Sequence, residues 1–427
     1  MSLHYHLRCS VCARTFVDDG LVLECESEHA LCSLVTEYTS SKFEPDEDHE
    51  GIYRYRRWLP IRRSLACAGG TVTFQSRRLC RFTGLRNLWI AFNGYWPERG
   101  ARLETSTFKE LEAITVLGRL PQNGTDVLVV PSAGSTAAAF ALLCSDHQVP
   151  CLIIIPVTGL QRMWFSRRLH PCVKIVSLVG YADYNDAIHL ARRMERLPGF
   201  VSEGGFKNVG RRDGIGTTLL NAVEAMGRLP DYYFQAVGSG TGGVAIHEAA
   251  KRLVTDGRFG HTLPRLMLSQ NLPFDPMHQA WKVGQRELTD VDYDKGKWQL
   301  KHIVAEVLSN QQPPYSPPGG VFDALTESKG DMLVADNAET LQAVRLMRDM
   351  EGIDIDPAAG VAIATLLKET RGGLIDPNSH VLLHLTGGGY YRRTLDQRLV
   401  PAEPALQIDG RTATSTDAVD KVVTLFH

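Results

Sequence analysis

A chain of 427 residues, 44% hydrophobic and 22% charged, has interior enough for two or three domains with large cores. Its 46 basic and 48 acidic residues leave a formal charge of −2, which excludes an overall attraction to nucleic acid or an anionic membrane. No run of 18 apolar residues is present, and Met1 to His6 lack the apolar core of a signal peptide, so a cytosolic protein is expected. Its nine cysteines are then reduced thiols or metal ligands rather than disulfides.

Residues 1–42 read as a small ribbon-like module. Cys9 and Cys12 have CxxC spacing, and Cys25, His29 and Cys32 follow. A zinc ribbon ordinarily has a second tight pair, and here the second half is Cys25-x6-Cys32 or Cys25-x3-His29. A zinc site and a metal-free relic of a ribbon, packed by Phe16, Leu21 and Leu23, are both open, and no metal ligand is assigned. Phe43 to Glu50 is acidic, contains proline, and marks a domain boundary. Nine arginines fall between Arg54 and Arg86. Trp58, Leu59, Leu65 and Val72 interleave them, which suggests amphipathic elements whose charged face meets acidic partners in the same fold.

Thr105 to Leu111 places Lys109 just after Ser106 and Thr107, in a stretch that can open a helix. A buried lysine readily becomes a neutral amine able to form a Schiff base with an aldehyde. From there apolar strands and helices alternate. Asp126 to Pro131 is a strand and Thr136 to Cys144 a helix; Val149 to Val157 and Val173 to Leu178 are strands and Tyr184 to Arg196 a helix. Tyr232 to Val237 runs into a glycine loop and then the helix Val244 to Leu253, and Arg265 to Leu268 and Val381 to Leu385 are further strands. Short apolar runs alternating with helices predict an α/β fold with parallel sheets covered on both faces. Gln311 to Gly320, rich in proline, is a loop placed to border an active site.

Two strand-to-helix turns carry chemistry. Gly238-Ser-Gly-Thr-Gly-Gly243 aims backbone N–H groups and a helix N-terminus at one point, as a phosphate requires, with Ser239 and Thr241 adding hydroxyls. Its glycine order does not match a dinucleotide fingerprint, and it lacks the Lys-Ser/Thr ending of a Walker loop. Ser132-Ala-Gly-Ser-Thr136 forms a second anion site suited to a carboxylate, although N-capping of the helix explains it as well. A third glycine patch, Thr386 to Gly389, follows the last strand. Lysine, phosphate cradle and late glycine patch, in that order, suit a pyridoxal phosphate (PLP) enzyme.

Phe92-Asn-Gly-Tyr-Trp-Pro-Glu98, Phe108 to Ala113, Pro230 to Gly243, Gln270 to Phe274, Glu351 to Ile355 and Gly387 to Gly389 carry a resemblance over nearly the whole chain. They resemble the fold-type II PLP family that contains threonine synthase, and within it the members that convert O-phospho-L-serine and sulfite to L-cysteate. The resemblance implies two doubly wound parallel-sheet domains, like the tryptophan synthase β chain: a large one of 51–105 and 212–427, and a small one of 106–211. It implies Lys109 as the Schiff-base lysine and Gly238, Ser239, Gly240, Thr241 and Gly242 as the phosphate loop. Thr386 falls where the partner of the pyridine nitrogen stands, and Ser135 lies beside the cofactor. Ser132, Gly134 and Thr136 would receive the substrate carboxylate. The family usually has Asn where this chain has Ser135, and Ala137 and Ala138 supply no charge, which opens the substrate to question. A β- or γ-replacement with another phosphorylated amino acid or nucleophile, as in threonine synthase, is the alternative, and a catalytically silent PLP-binding protein is a third. The anionic reactants require a cation, for which Lys207, Arg211 and Arg212 are candidates by composition, surface arginines being the plainer expectation. A homo-oligomer is expected.

Overall fold

Apolar runs that are buried on both faces fix the architecture. The computed structural model describes residues 3–27, 29, 32–66, 69–122, 124–288 and 292–427; Met1, Ser2 and the thiol of Cys67 lie outside the described residues. Six strands form one sheet in the order Asp331–Ala335, Arg265–Asn271, Tyr232–Ala236, His380–Leu385, Asn87–Phe92 and Val72–Gln75. All its pairings are parallel except the last, which is antiparallel. A second sheet of five parallel strands runs Phe200–Ser202, Val127–Pro131, Cys151–Pro156, Val173–Val179 and Leu406–Asp409. In Cys151–Pro156 every residue is buried, the pattern of a strand covered by helices on both sides. No helix among the described residues is long and apolar enough to cross a membrane.

One segment changes sheets. Residues 406–427 were expected with the large domain. Instead, Leu406–Asp409 pairs with Val173–Val179, and Ala418, Val419 and Val422 of the following helix pack with Leu178, Leu190 and Met194. The Leu406–Asp409 strand thus covers the edge that Val173–Val179 would otherwise expose.

The helix Val209–Met226, to which the sequence assigned no element, contains Gly210, Gly214 and Gly216, which lower helix propensity. Packing explains them. A Cβ on Gly214 would overlap the carbonyl of Leu111, so the glycine lets this helix lie directly on the helix Lys109–Arg119.

The N-terminal module is a three-stranded antiparallel sheet ordered Thr15–Phe16, Tyr5–Cys9, Leu34–Tyr38. Tyr5, Leu7, Leu34 and Val209 make its core, with Phe16 against it. Leu23 serves elsewhere, lying over Gly204. The module is pinned to the body by fully buried Arg119, whose guanidinium donates to Asp18 at 2.7 and 2.8 Å. Phe43 anchors the acidic connection that follows, stacking on Tyr55, with its N–H donating to Asp256 at 2.8 Å. The arginine-rich stretch meets acids within the fold: Arg54 pairs with Glu224 and Arg57 with Glu44.

Candidate active site

Three loops at the C-terminal ends of parallel strands converge on a cavity of about 420 Å³. Ser132 follows the Val127–Pro131 strand, Gly238 the Tyr232–Ala236 strand, and Thr386 the His380–Leu385 strand. This is where open parallel sheets bind ligands. Lys109, Ser132, Gly134, Ser135, Thr136, Gly238, Ser239, Gly240, Thr241, Gly242 and Thr386 all line it, so the expected site residues share one chamber. The proline-rich loop borders it through Gln312, Pro313, Pro314 and Pro317.

Lys109 opens its helix. Ser106 just before it has φ +61, a left-handed conformation that turns the chain toward the cavity. The loop is stitched to the late glycine patch: Phe108 N–H donates to Thr386 O at 3.0 Å, and Gly388 N–H donates to Ser106 O at 3.0 Å. Burial pushes the Lys109 amine below the ordinary lysine range, opposed by the carboxylate of Glu112, to which Nζ is hydrogen-bonded. Glu112 is itself fully buried and is held on its other oxygen by Arg211 at 2.8 Å; Arg211 Nε in turn donates to Glu203 at 2.8 Å.

The glycine loop is packed hard against its surroundings. Gly240 has φ +81 at the N-terminus of the helix Thr241–Asp256, and a Cβ there would overlap Val321. A Cβ on Gly242 would overlap the Gln235 amide, and one on Gly243 would come within 2.6 Å of Leu268. The hydroxyls of Ser239 and Thr241 lie 2.8 Å apart. The other loop is held by a side chain: Ser132 Oγ accepts from Gly134 N–H at 3.0 Å and Ala137 N–H at 2.9 Å, leaving its hydroxyl proton to donate.

Beneath the cavity His384 is fully buried, and burial alone lowers its pKa to about 3, so the ring is neutral. Asn93 Nδ2 donates to Nε2 at 2.7 Å, and Tyr233 Oη, 2.6 Å from Nδ1, donates to Gln235 at 2.9 Å. That pattern assigns the ring proton to Nδ1.

Residues 78–387, well over half the chain, match the family described as pyridoxal-phosphate dependent enzyme. The chain is 45% identical to the cysteate synthase of Methanoculleus marisnigri, over 98% of this chain and 96% of that one. It is 43% identical to the cysteate synthase of Methanocella paludicola, over 95% and 94%. The chain belongs to the cysteate synthase family. It is a PLP-dependent enzyme of fold type II. Maize serine racemase has the same fold, with a TM-score of 0.58 at 16% identity over 76% of this chain and 92% of that one.

The residues present fit PLP. The glycine loop supplies a backbone cradle at a helix N-terminus with no room for side chains, the donor set a phosphate takes. The Lys109 amine and the Thr386 hydroxyl line the same chamber.

Two expectations from sequence change. Arg211 and Arg212 are not surface arginines: both are buried, and only Arg211 lines the cavity. Arg212 faces the N-terminal module, pairing with Glu248 at 3.0 Å and donating to Leu34 O and Phe206 O. Lys207 lines the cavity and pairs with Glu24. Two further residues escaped the sequence reading. Glu112 sits three residues after Lys109 on one helix face, a spacing that could have flagged it. Asp356 lines the cavity, is half-buried, and its partial burial raises its pKa; its signal was the Asp-Pro start of the helix Pro357–Arg371. The sequence reading assigned no metal, yet Cys9, Cys12, Cys25 and His29 are brought together.

Proposed function

We propose that this enzyme replaces the phosphate of O-phospho-L-serine with sulfite, giving L-cysteate and phosphate, in the cytosol and as a homo-oligomer. The single observation that carries the reading is a half-buried lysine amine that lines one cavity together with two separate strand-to-helix anion loops. An amino-acid substrate held through PLP presents the same three handles: a cofactor phosphate, a carboxylate and a nitrogen-linked carbon.

When bound, PLP supplies an electron sink that acidifies the substrate α-carbon. Gly238 to Gly242 would hold its phosphate, and Thr386 and Ser135, which line the same cavity, would meet its ring. A neutral hydroxyl at Thr386 would leave the ring nitrogen unprotonated, which would favour loss of a β-substituent over prolonged carbanion chemistry. Lys109 Nζ would hold the cofactor and, as a neutral amine, is the group placed to take the substrate α-proton. Burial in this cavity supports that role by disfavouring the charged amine. Glu112, held by Arg211, fixes where Nζ lies. The N–H groups of the first turn of the helix Ser135–Asp146, with the Ser132 hydroxyl, take the substrate carboxylate. The β-carbon–oxygen bond breaks with its electron pair leaving on phosphate, sulfite sulfur bonds to the β-carbon through its lone pair, and Lys109 returns the proton to the α-carbon. Lys207 and Arg211 offset the negative charge of both reactants.

Incubating purified enzyme with O-phosphoserine and sulfite, with product read by mass, tests this. L-Cysteate and an equal amount of phosphate are expected. Release of no phosphate from O-phosphoserine by enzyme fully loaded with PLP would reject this donor in favour of another replacement reaction, and O-phosphohomoserine with water, as in threonine synthase, is the first alternative to assay.

A further inference from the structure

The N-terminal sheet gathers more thiol chemistry than its packing uses. Cys9 ends the strand Tyr5–Cys9, Cys12 lies in the turn that follows it, and Cys25 and His29 join them from later in the module. The spacing is C-x2-C-x12-C-x3-H, which matches that of zinc fingers with Cys in place of the first His. The ligand atoms of these four residues all lie within 4.8 Å of one another. Cys12 Sγ is 3.6 Å from Cys25 Sγ, and Cys9 Sγ is 3.4 Å from His29 Nε2. Tetrahedral zinc with bonds of about 2.3 Å to sulfur and about 2.0 Å to nitrogen sets its ligands roughly 3.5–3.8 Å apart. A disulfide would bring the sulfurs to about 2.0 Å, so these thiols are not oxidised partners. The backbone N–H groups of Val11 and Cys12 point at Cys9 Sγ from 3.4 and 3.5 Å, an arrangement that stabilises a thiolate.

We infer that Cys9, Cys12, Cys25 and His29 bind one structural Zn²⁺, which braces the outer wall of the catalytic cavity. Zinc is the ion that three thiolates and an imidazole in a tetrahedron select. The module needs such a brace, because few buried apolar side chains make up its own core. Its connection to the cavity is direct. Leu23 and Glu24, next to Cys25, lie on Gly204 and pair with Lys207 respectively, and Gly204 and Lys207 line the cavity. Cys32, 3.3 Å from Cys9 Sγ, lines it as well, and Ser33 N–H donates to Pro318 O of the proline-rich loop at 3.1 Å.

The test uses PLP-loaded enzyme purified from zinc-supplemented medium, with metal measured by elemental mass spectrometry. One zinc per chain is expected. Cys12→Ser and Cys25→Ser should reduce it to background, while Cys80→Ser, which removes a thiol remote from the cluster, should retain it. Since the first two variants can fail to fold, wild-type enzyme grown with Co²⁺ provides an independent reading. Its visible spectrum, taken after removing PLP with hydroxylamine, should show the intense bands of tetrahedral cobalt with thiolate charge transfer. Zinc at background in the wild type, iron in its place, zinc retained by both Cys12 and Cys25 variants, or a cobalt spectrum without thiolate charge transfer would each overturn the assignment.

Discussion

The two anion loops of the cavity have the same topology, strand then turn then helix, yet they are built on opposite principles. The glycine loop is rigid because it is crowded: side chains at Gly240, Gly242 and Gly243 would strike Val321, Gln235 and Leu268. The Ser132–Thr136 loop is held by one hydroxyl, and a Cβ on Gly134 would find nothing nearer than Arg162 Cδ at 4.0 Å. Crowding suits a group that never varies, such as a cofactor phosphate. A side-chain staple with open space beside it suits a substrate, whose shape differs among enzymes sharing this fold. The departure from the family pattern, Ser135, lies in the open loop and not in the crowded one.

Lys109→Ala removes the proposed Schiff-base amine and has the largest expected effect. Turnover should fall by at least ~10²–10⁴-fold, the usual worth of a positioned proton-transfer group, and the visible absorbance of bound PLP should be lost or shifted. Borohydride reduction and peptide mapping of the wild type should label the Lys109 peptide; label on another lysine would remove the assignment.

Gly240→Val attacks the crowded loop. The added side chain collides with Val321 and should withdraw N–H donors from the proposed phosphate site. Charge-assisted hydrogen bonds are worth roughly 1.5–3 kcal/mol each, so loss of two weakens PLP by orders of magnitude in an equilibrium titration. Unchanged affinity would place the phosphate elsewhere.

The helix Lys109–Arg119 has its own pH dependence. Glu110 is buried and accepts from Thr105 Oγ1 at 2.7 Å; burial pushes its pKa up to about 7. Folded protein thus keeps a proton that unfolded chain releases near 4.5, so Glu110 makes stability decline as pH rises from about 4.5 to 7. The full decline amounts to about 3 kcal/mol. Glu110→Gln should flatten it, seen by comparing urea unfolding at pH 5 and pH 8; an equal slope in both proteins would assign the pH dependence to other groups.

Smaller effects belong to the open loop. Ser132→Ala frees two N–H groups and should cost about 1 kcal/mol of stability. The KM for the amino-acid substrate should rise while PLP affinity holds. If PLP is lost along with substrate binding, the two loops are not separable. Ser135→Asn should be the mildest change: PLP content holds and turnover stays within a fewfold of wild type. Abolished turnover would mean that Ser135 is fitted to a different adduct.

Much of this was readable from sequence. Both loops were, because glycines and hydroxyls between an apolar strand and a helix have few other uses. The central strands, such as Cys151–Pro156, were legible as runs buried on both faces. What escaped depends on distance along the chain. Glu112, Arg211 and Glu203 form one ionic chain only after two helices and a loop are brought together. The strands Tyr5–Cys9 and Leu34–Tyr38 went unassigned because mixed polar residues obscure their alternation. The glycines of Val209–Met226 disguised a helix, since the packing that demands them involves a partner about a hundred residues away.

The strand Leu406–Asp409 also sets a schedule for how the molecule comes into being. It leaves the ribosome more than two hundred residues after Val173–Val179, the strand it must flank. Until then that strand waits with a row of unsatisfied backbone groups, open to pairing with another nascent chain. The polypeptide begins the six-stranded sheet, crosses to lay down four strands of the five-stranded one, returns to complete the first and ends on the second. Neither half can be cut out as a continuous stretch, and a message truncated before residue 406 encodes a protein with an adhesive edge.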